Sequence, residues 1–238
     1  MVTNNILTRI ISFINHQKAL RSSDSYIKFL RAKGIKIGEG CYIPNPKSVQ
    51  IDYSRPTLLE IGNNVRLNQD LTIMTHDFAS HVFINAYNEF IPSHKKIKIG
   101  NNIYFGRKCT VLKGVTIGDN CIIGYGSVIM KDIPNNSVAA GSPAKVICSL
   151  DEYFEKRKRQ YRQEAIEFGR SIRERYNRNP QIEDFYDDFP AFVNADNMSK
   201  YPFNYNRIFT TEQLEVWKRN HQPYFQSFEE FLKEISSQ

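Results

Sequence analysis

The stretch "IGNNIYFGRKCTVLKGVTIGDNCIIGYGSVIMKDIPNNSVAAGSPAKVI", residues 99–147, carries a bulky apolar residue at every sixth position: Ile99, Phe105, Val111, Ile117, Ile123 and Ile129. A helix with 3.6 residues per turn scatters such positions around its surface. A strand puts them on one face, yet strands rarely exceed about ten residues. The chain must therefore turn at regular intervals. The second place of the hexads holds Gly100, Gly106, Gly118 and Gly124, with Leu112 and Met130 as exceptions. The fifth place holds Ile103, Cys109, Val115, Cys121, Ser127 and Ile133, none of them charged. Three such hexads close one triangular coil, and stacked coils make a parallel β-helix. Its coils stack at about 4.8 Å, the spacing of paired strands. The first and fifth places are expected to point inward, and the glycines to serve corners with unusual backbone angles. A β-sandwich of short strands is the alternative, and six unbroken hexads argue against it.

The period extends upstream less cleanly. Ile37, Ile43 and Val49 fit it, Arg55 within "DYSRPT" breaks it, and Ile61, Leu67 and Ile73 resume it. Residues 77–96 lose it and are expected to form a loop thrown out from a corner. Residues 1–34 read as a helical cap, needed because the end of a β-helix exposes unpaired strand edges. Residues 35–148 read as the β-helix, and 149–238 as a helical extension. In that extension Ser149 with Glu152 and Ser227 with Glu230 form capping boxes. Tyr161, Ala165, Phe168, Ile172 and Tyr176 make an apolar stripe at helical spacing. Glu152–Lys156 and Glu155–Arg159 are i,i+4 pairs, so "EKRKRQYR" reads as a solvated face rather than a nucleic-acid patch. The aromatic-rich segment 180–208 suggests stacking surfaces for a sugar, with the extension shaping an acceptor site or the oligomer.

Composition sets the class. The 238 residues are 41% hydrophobic, with a net charge of +7. That suffices for a sizeable core and favours an anionic partner. No apolar run approaches the length of a membrane span, and no signal peptide is expected. Cys41, Cys109, Cys121 and Cys148 form no CxxC pair, so neither a zinc ribbon nor a disulfide framework is indicated. A cytoplasmic location is the simplest expectation.

"THD" at 75–77, "IGYGSVIMKDIP" at 123–134 and "AAGSPAKVI" at 139–147 carry a resemblance to a known family. The chain resembles the hexapeptide-repeat acyltransferases, in the branch of maltose, galactoside and polysaccharide O-acetyltransferases, over roughly residues 35–148. The resemblance implies a mainly β fold, a left-handed parallel β-helix. It implies a homotrimer with acyl-CoA bound between adjacent prisms, and acetyl transfer to a sugar or glycan hydroxyl without an acyl-enzyme. His76 falls where the family keeps its catalytic histidine, and an imidazole is the natural general base near neutral pH. By the same resemblance Gly106 and Arg107 meet the pantetheine arm. Gly124, Tyr125 and Gly126 match the family's "IGAGS" element, with Tyr125 in place of a small residue. Met130 and Lys131 match "TKD", and Lys131 meets a CoA phosphate. Ser142 and Pro143 edge the adenine pocket, Lys145 stands where arginine is common, and Tyr104 replaces a frequent tryptophan. Cys148 stands where the family often has a further arginine.

The remaining polar candidates are weaker. Asp52, Asn68 and Asp70 precede His76 on neighbouring coils and are candidates to bind acceptor hydroxyls or to orient the imidazole. His81 and His94 lie in the loop and are candidates to line the acceptor site, while His16 and His221 fall in predicted helices. His76 and His81 also have the five-residue spacing of two zinc-ligating histidines in β-helical carbonic anhydrases. A catalytic zinc needs about three protein ligands, no further histidine lies between 17 and 75, and no metal is expected. Cys109 and Cys121 read as small core residues. Rival functions are N-acetylation of an amino-sugar nucleotide, serine acetylation, and a non-catalytic scaffold that would tolerate His76→Ala.

Overall fold

A computed structural model describes residues 6–201 and 203–236; for residues 6–9 and 12 only the backbone is described. Residues 1–5 of the expected cap and 237–238 of the expected extension lie outside the described residues. The chain forms two compact units, one up to Tyr153 and one from Phe154 onward.

The first unit is the stacked coil that the hexads imply. Its strands form three parallel sheets. The first face stacks Lys36–Ile37, Leu59–Ile61, Ile97–Ile99 and Thr116–Ile117 in register. The second stacks Val65–Arg66, Ile103–Phe105, Cys121–Ile123 and Ser137–Gly141. The third stacks Gln50–Ile51, Thr72–Ile73, Thr110–Val111 and Val128–Ile129. Successive hexads therefore visit successive faces. Both inward places are buried: Phe105, Cys109, Val111, Ile123 and Ser127 are fully enclosed, and Ile99, Val115, Ile117 and Cys121 nearly so. Burial raises the thiol pKa of Cys109 and Cys121, as suits inert core residues.

The upstream register differs from the sequence pattern. Ile51, not Val49, aligns with Ile73, and Val49 takes the fifth-place role. The first coil has two extra residues before its third face, folded as a 3₁₀ turn at Pro46–Ser48, and a second 3₁₀ turn at Pro56–Leu58 absorbs the break at Arg55. The excursion after the second coil is not irregular. His76–Asp77 pairs antiparallel with Ser93–His94, and between them residues Ser80–Tyr87 form a helix that the sequence did not announce.

The glycines also act differently from expectation. At the corner between the first and second faces, Gly38, Gly62, Gly100 and Gly118 have ordinary φ; the left-handed residues there are Gly40, Asn64, Asn102, Asn120 and Asn136. What the second place requires is room. A Cβ on Gly118 would stand 2.6 Å from the Asn135 amide nitrogen of the next coil. The asparagines form a ladder, Asn102 Nδ2 donating to Asn120 Oδ1 and Asn120 Nδ2 to Asn136 Oδ1, each at 2.9 Å. Asparagine suits this role because it tolerates the left-handed region and carries both a donor and an acceptor.

The ends of the coil are covered as edge strands require. Residues Ile6–Ala19 (α1) and Ser23–Ala32 (α2) form the cap, with Tyr26, Ile27 and Leu30 buried in the coil's core. Arg31 reaches past α2 to donate to the Ile37 and Gly38 carbonyls at 2.9 and 2.6 Å. At the far end "AAGSPAKVI" turns back instead of coiling on, and Ala144–Ser149 pairs antiparallel with Ser137–Gly141.

A helix then spans Leu150–Tyr176, opened by the Ser149–Glu152 capping box. In the second unit its buried stripe is Ala165, Ile166, Gly169 and Ile172; Phe168 and Tyr176 are exposed, against expectation. Glu155 pairs with Lys158 and Arg157 with Glu164, rather than in the expected i,i+4 pairs. Helices follow at Thr211–Asn220 and Phe228–Ser236. At the expected second box, Ser227 Oγ accepts from Glu230 N, but the Glu230 carboxylate returns to Gln226 N. Many aromatics read as sugar platforms instead build this unit's own core: Phe185, Phe189 and Phe192 are buried against Phe225, Phe228 and Phe231.

Candidate active site

The corner between the third and first faces departs from the glycine rule. Its second place holds Asp52, Met74, Leu112 and Met130, one per coil. Asp52 N donates to Ile73 O, Met74 N to Val111 O and Leu112 N to Ile129 O, each at 3.0 Å. The excursion leaves from this corner, and its first strand carries His76.

His76 Nδ1 lies 2.6 Å from Asp52 Oδ2. The same oxygen accepts from Thr75 N at 3.2 Å and from the Thr75 hydroxyl. Asp52 Oδ1 accepts from Ser54 N at 3.0 Å and Ser54 Oγ at 2.6 Å. Burial alone would raise the Asp52 pKa, but hydrogen bonds from Ser54, Thr75 and His76 outweigh it and hold the carboxyl well below the usual range. Asp52 is therefore ionised near neutrality, and an ionised carboxylate only accepts. The imidazole hydrogen sits on Nδ1, which leaves Nε2 as the basic nitrogen.

Two clefts meet at this ring. One, of about 620 Å³, lies on the cap side and is lined by His16, Gln50, Tyr53, Met74, His76 and Phe78 among others. The other, of about 340 Å³, is lined by Met74, His76, Asp77, Leu112, Lys113 and Met130. Lys113 binds both Asp77 and Ser93, tying the base of the excursion to the next coil.

Of the residues predicted from sequence, the structure brings Asp52 and Met130 to the surroundings of His76. Asn68 and Asp70 do not lie beside His76 within the chain: they occupy the corner between the second and third faces. Asn68 is buried with its amide on the Phe105 carbonyl at 2.7 Å, and Asp70 is a left-handed corner residue. His94 pairs with His76 across the two-stranded excursion and His81 lies on its helix, both exposed. Gly106, Arg107, Gly124, Tyr125 and Gly126 form the corner that Asn68 and Asp70 begin. Tyr104 faces outward on the second face, Lys131 follows Met130, and Ser142, Pro143 and Lys145 lie in the terminal hairpin. The predicted donor residues thus occupy two corners, one face and a hairpin. Sequence reasoning missed Ser54, Thr75 and Lys113; the short spacing Asp52-x-Ser54 and the Thr75–His76 pair were the only signals for them. Among the described residues no group of three His, Cys, Asp or Glu side chains is placed to hold a metal ion.

Several known proteins are similar to this chain. Residues 96–131 match the family model for the bacterial transferase hexapeptide (six repeats). The chain is 34% identical over 128 residues to Protein CapG of Staphylococcus aureus, covering 52% of this chain and 71% of that protein. It is 34% identical over 126 residues to galactoside O-acetyltransferase of Escherichia coli K12, covering 53% of this chain and 59% of that one. The crystal structure of a maltose O-acetyltransferase from Clostridium difficile 630 aligns with a TM-score of 0.42 and 25% identity, over 61% of this chain and 89% of that chain. With the hexads, the stacked coils and the extent of the CapG match all in agreement, the chain belongs to the hexapeptide-repeat acyltransferase superfamily.

Proposed function

We propose that this chain is an acetyl-CoA-dependent O-acetyltransferase that acts on a hydroxyl of a sugar or polysaccharide precursor, with His76 as general base. The observation that carries the reading is the His76–Asp52 pair, whose Nε2-basic ring borders both clefts. The acceptor hydroxyl donates to Nε2 and attacks the thioester carbonyl as its proton passes to the ring. Asp52, fixed by Ser54 and Thr75, holds the Nδ1 hydrogen and stabilises the imidazolium that forms. The imidazolium then returns the proton to the departing CoA sulfur, so the ring ends as it began.

The sugar class is favoured by the likeness to a galactoside O-acetyltransferase. Assembly as a homotrimer, with Gly106–Arg107 and Gly124–Gly126 of one copy facing the His76 corner of the next, would gather donor residues that one chain spreads over two corners. Four free thiols suit a reducing cytoplasm, where acetyl-CoA is made. The test is acetyl-CoA turnover with a panel of glycans, scored by released thiol. His76→Ala should lose most turnover and keep CoA binding. Unchanged turnover would remove His76 as the base, and a parent chain that releases no thiol with any glycan would favour the scaffold reading.

A further inference from the structure

The second unit holds a cleft of about 580 Å³, within the size range of small-molecule sites. It lies by the last turns of the Leu150–Tyr176 helix and the end of the Phe228–Ser236 helix. Arg170, Arg173, Glu174, Asn177, Arg178 and Asn179 line it, so three guanidiniums share one hollow with a single carboxylate in its lining. The arginines are held differently. Arg178 donates both arms to Asp184, at 2.7 and 2.8 Å, which fixes its plane. Arg173 donates to the Ile235 carbonyl at 3.2 Å. Arg170 has no such anchor. Its Nε is buried and meets no acceptor among the described residues. Glu174 stands four residues on, the spacing that brings opposite charges together, yet does not take up that nitrogen. A buried donor without a partner is costly, and folded proteins resolve it with a water, an ion or a ligand. The helix end does not account for Arg170. Cations suit the last turn, which holds Arg173 and Arg175, but Arg170 lies before it.

We propose that this cleft binds a small soluble phosphorylated ligand, whose phosphoryl oxygens accept from Arg170 and Arg173. The planar guanidinium fork matches phosphate and presents paired donors to it. A phosphoryl group has three acceptor oxygens and can serve two guanidiniums at once, where a carboxylate has two. The volume exceeds what one phosphate fills, so the ligand has a further body. Asn177 and Asn179 supply donors and acceptors for that body, as hydroxyls of a sugar-sized group require. Glu174 in the lining repels a continuous anionic surface, which favours a discrete soluble ligand over a lipid membrane. The site is separate from His76 and does not depend on the reading of that residue as the base.

Isothermal titration of the full chain at fixed ionic strength tests the site, with pyrophosphate, glucose 1-phosphate and malonate as probes. The parent should bind both phosphorylated probes and prefer them to malonate. Arg170→Met should weaken them about ten-fold or more, and Arg170→Lys, which keeps the charge and loses the fork, should fall between. Without ligand, Arg170→Met should melt at or above the parent's temperature, because it removes a buried donor that lacks a partner; its lost binding is then not lost folding. A parent that binds neither phosphorylated probe would overturn the proposal. So would binding by Arg170→Met equal to the parent's, or malonate bound as tightly as the phosphorylated probes. Phosphatidylglycerol vesicles give the last arm: Arg170-dependent binding to vesicles, without binding to the soluble probes, would overturn the soluble ligand. None of these outcomes bears on His76.

Discussion

The corner between the first and second faces and the corner between the third and first are built from the same hexads and share almost no chemistry. The former repeats itself from coil to coil: a second-place glycine at Gly62, Gly100 and Gly118, then a left-handed asparagine, with Asn102, Asn120 and Asn136 joined in a ladder. The latter gives up the repeat. It carries Asp52, Met74, Leu112 and Met130, and the excursion that presents His76. Repetition serves stacking, because each coil must meet an identical neighbour. A site needs one carboxylate and one imidazole in one place, so it appears where the repeat fails.

The largest effect that separates the corners is at His76. Its change to alanine should lower turnover by about 10²–10⁴-fold, roughly 2.7–5.5 kcal/mol of barrier, without changing the melting temperature. Next is Gly118→Ala, which forces a Cβ against the following coil and should destabilise the protein by about 1–3 kcal/mol in chemical denaturation. Leu112→Ala at the matching place of the other corner should leave stability nearly intact and weaken CoA binding. Equal stability losses in the two variants would erase the distinction between the corners. Asn120→Ala removes two rungs of the ladder and places alanine at φ 57°, for a loss of about 1–2 kcal/mol. Smallest is a pH effect at Asp52. Its folded pKa lies below the unfolded value near 3.9, so its contribution is fully present above about pH 4 and fades as pH falls further. The melting-temperature gap between Asp52→Asn and the parent should be constant from pH 5 to 8 and narrow below about pH 4.

Much of the coil is legible in the sequence because period six has one physical reading. Ile99 through Ile129 fall on the three faces in strict rotation, as written in the chain. The first coil is less legible. Two residues inserted before Ile51 shift the register, and 3₁₀ turns absorb insertions without leaving a periodic signal. His76 is legible through its motif, but nothing local singles out its partner. Asp52 is 24 residues upstream, and only coil stacking brings it beside the ring. The glycines mislead for a related reason. Their role at Gly118 and Gly106 lies in contacts between coils, which no local pattern shows. In the second unit, an aromatic-rich stretch fits a ligand platform as well as a core. Burial of Phe185, Phe189 and Phe192 assigns them to the core.

The position of the thioester decides whether His76 can act as the base. A crystal structure of the protein with acetyl-CoA bound is the direct test. It should show the sulfur beside His76 Nε2, in the cleft of Met74, Leu112 and Met130, with room for an acceptor hydroxyl oxygen within about 3–3.5 Å of the acetyl carbonyl carbon. A donor bound with its sulfur remote from this imidazole would contradict the assignment of His76 as the base.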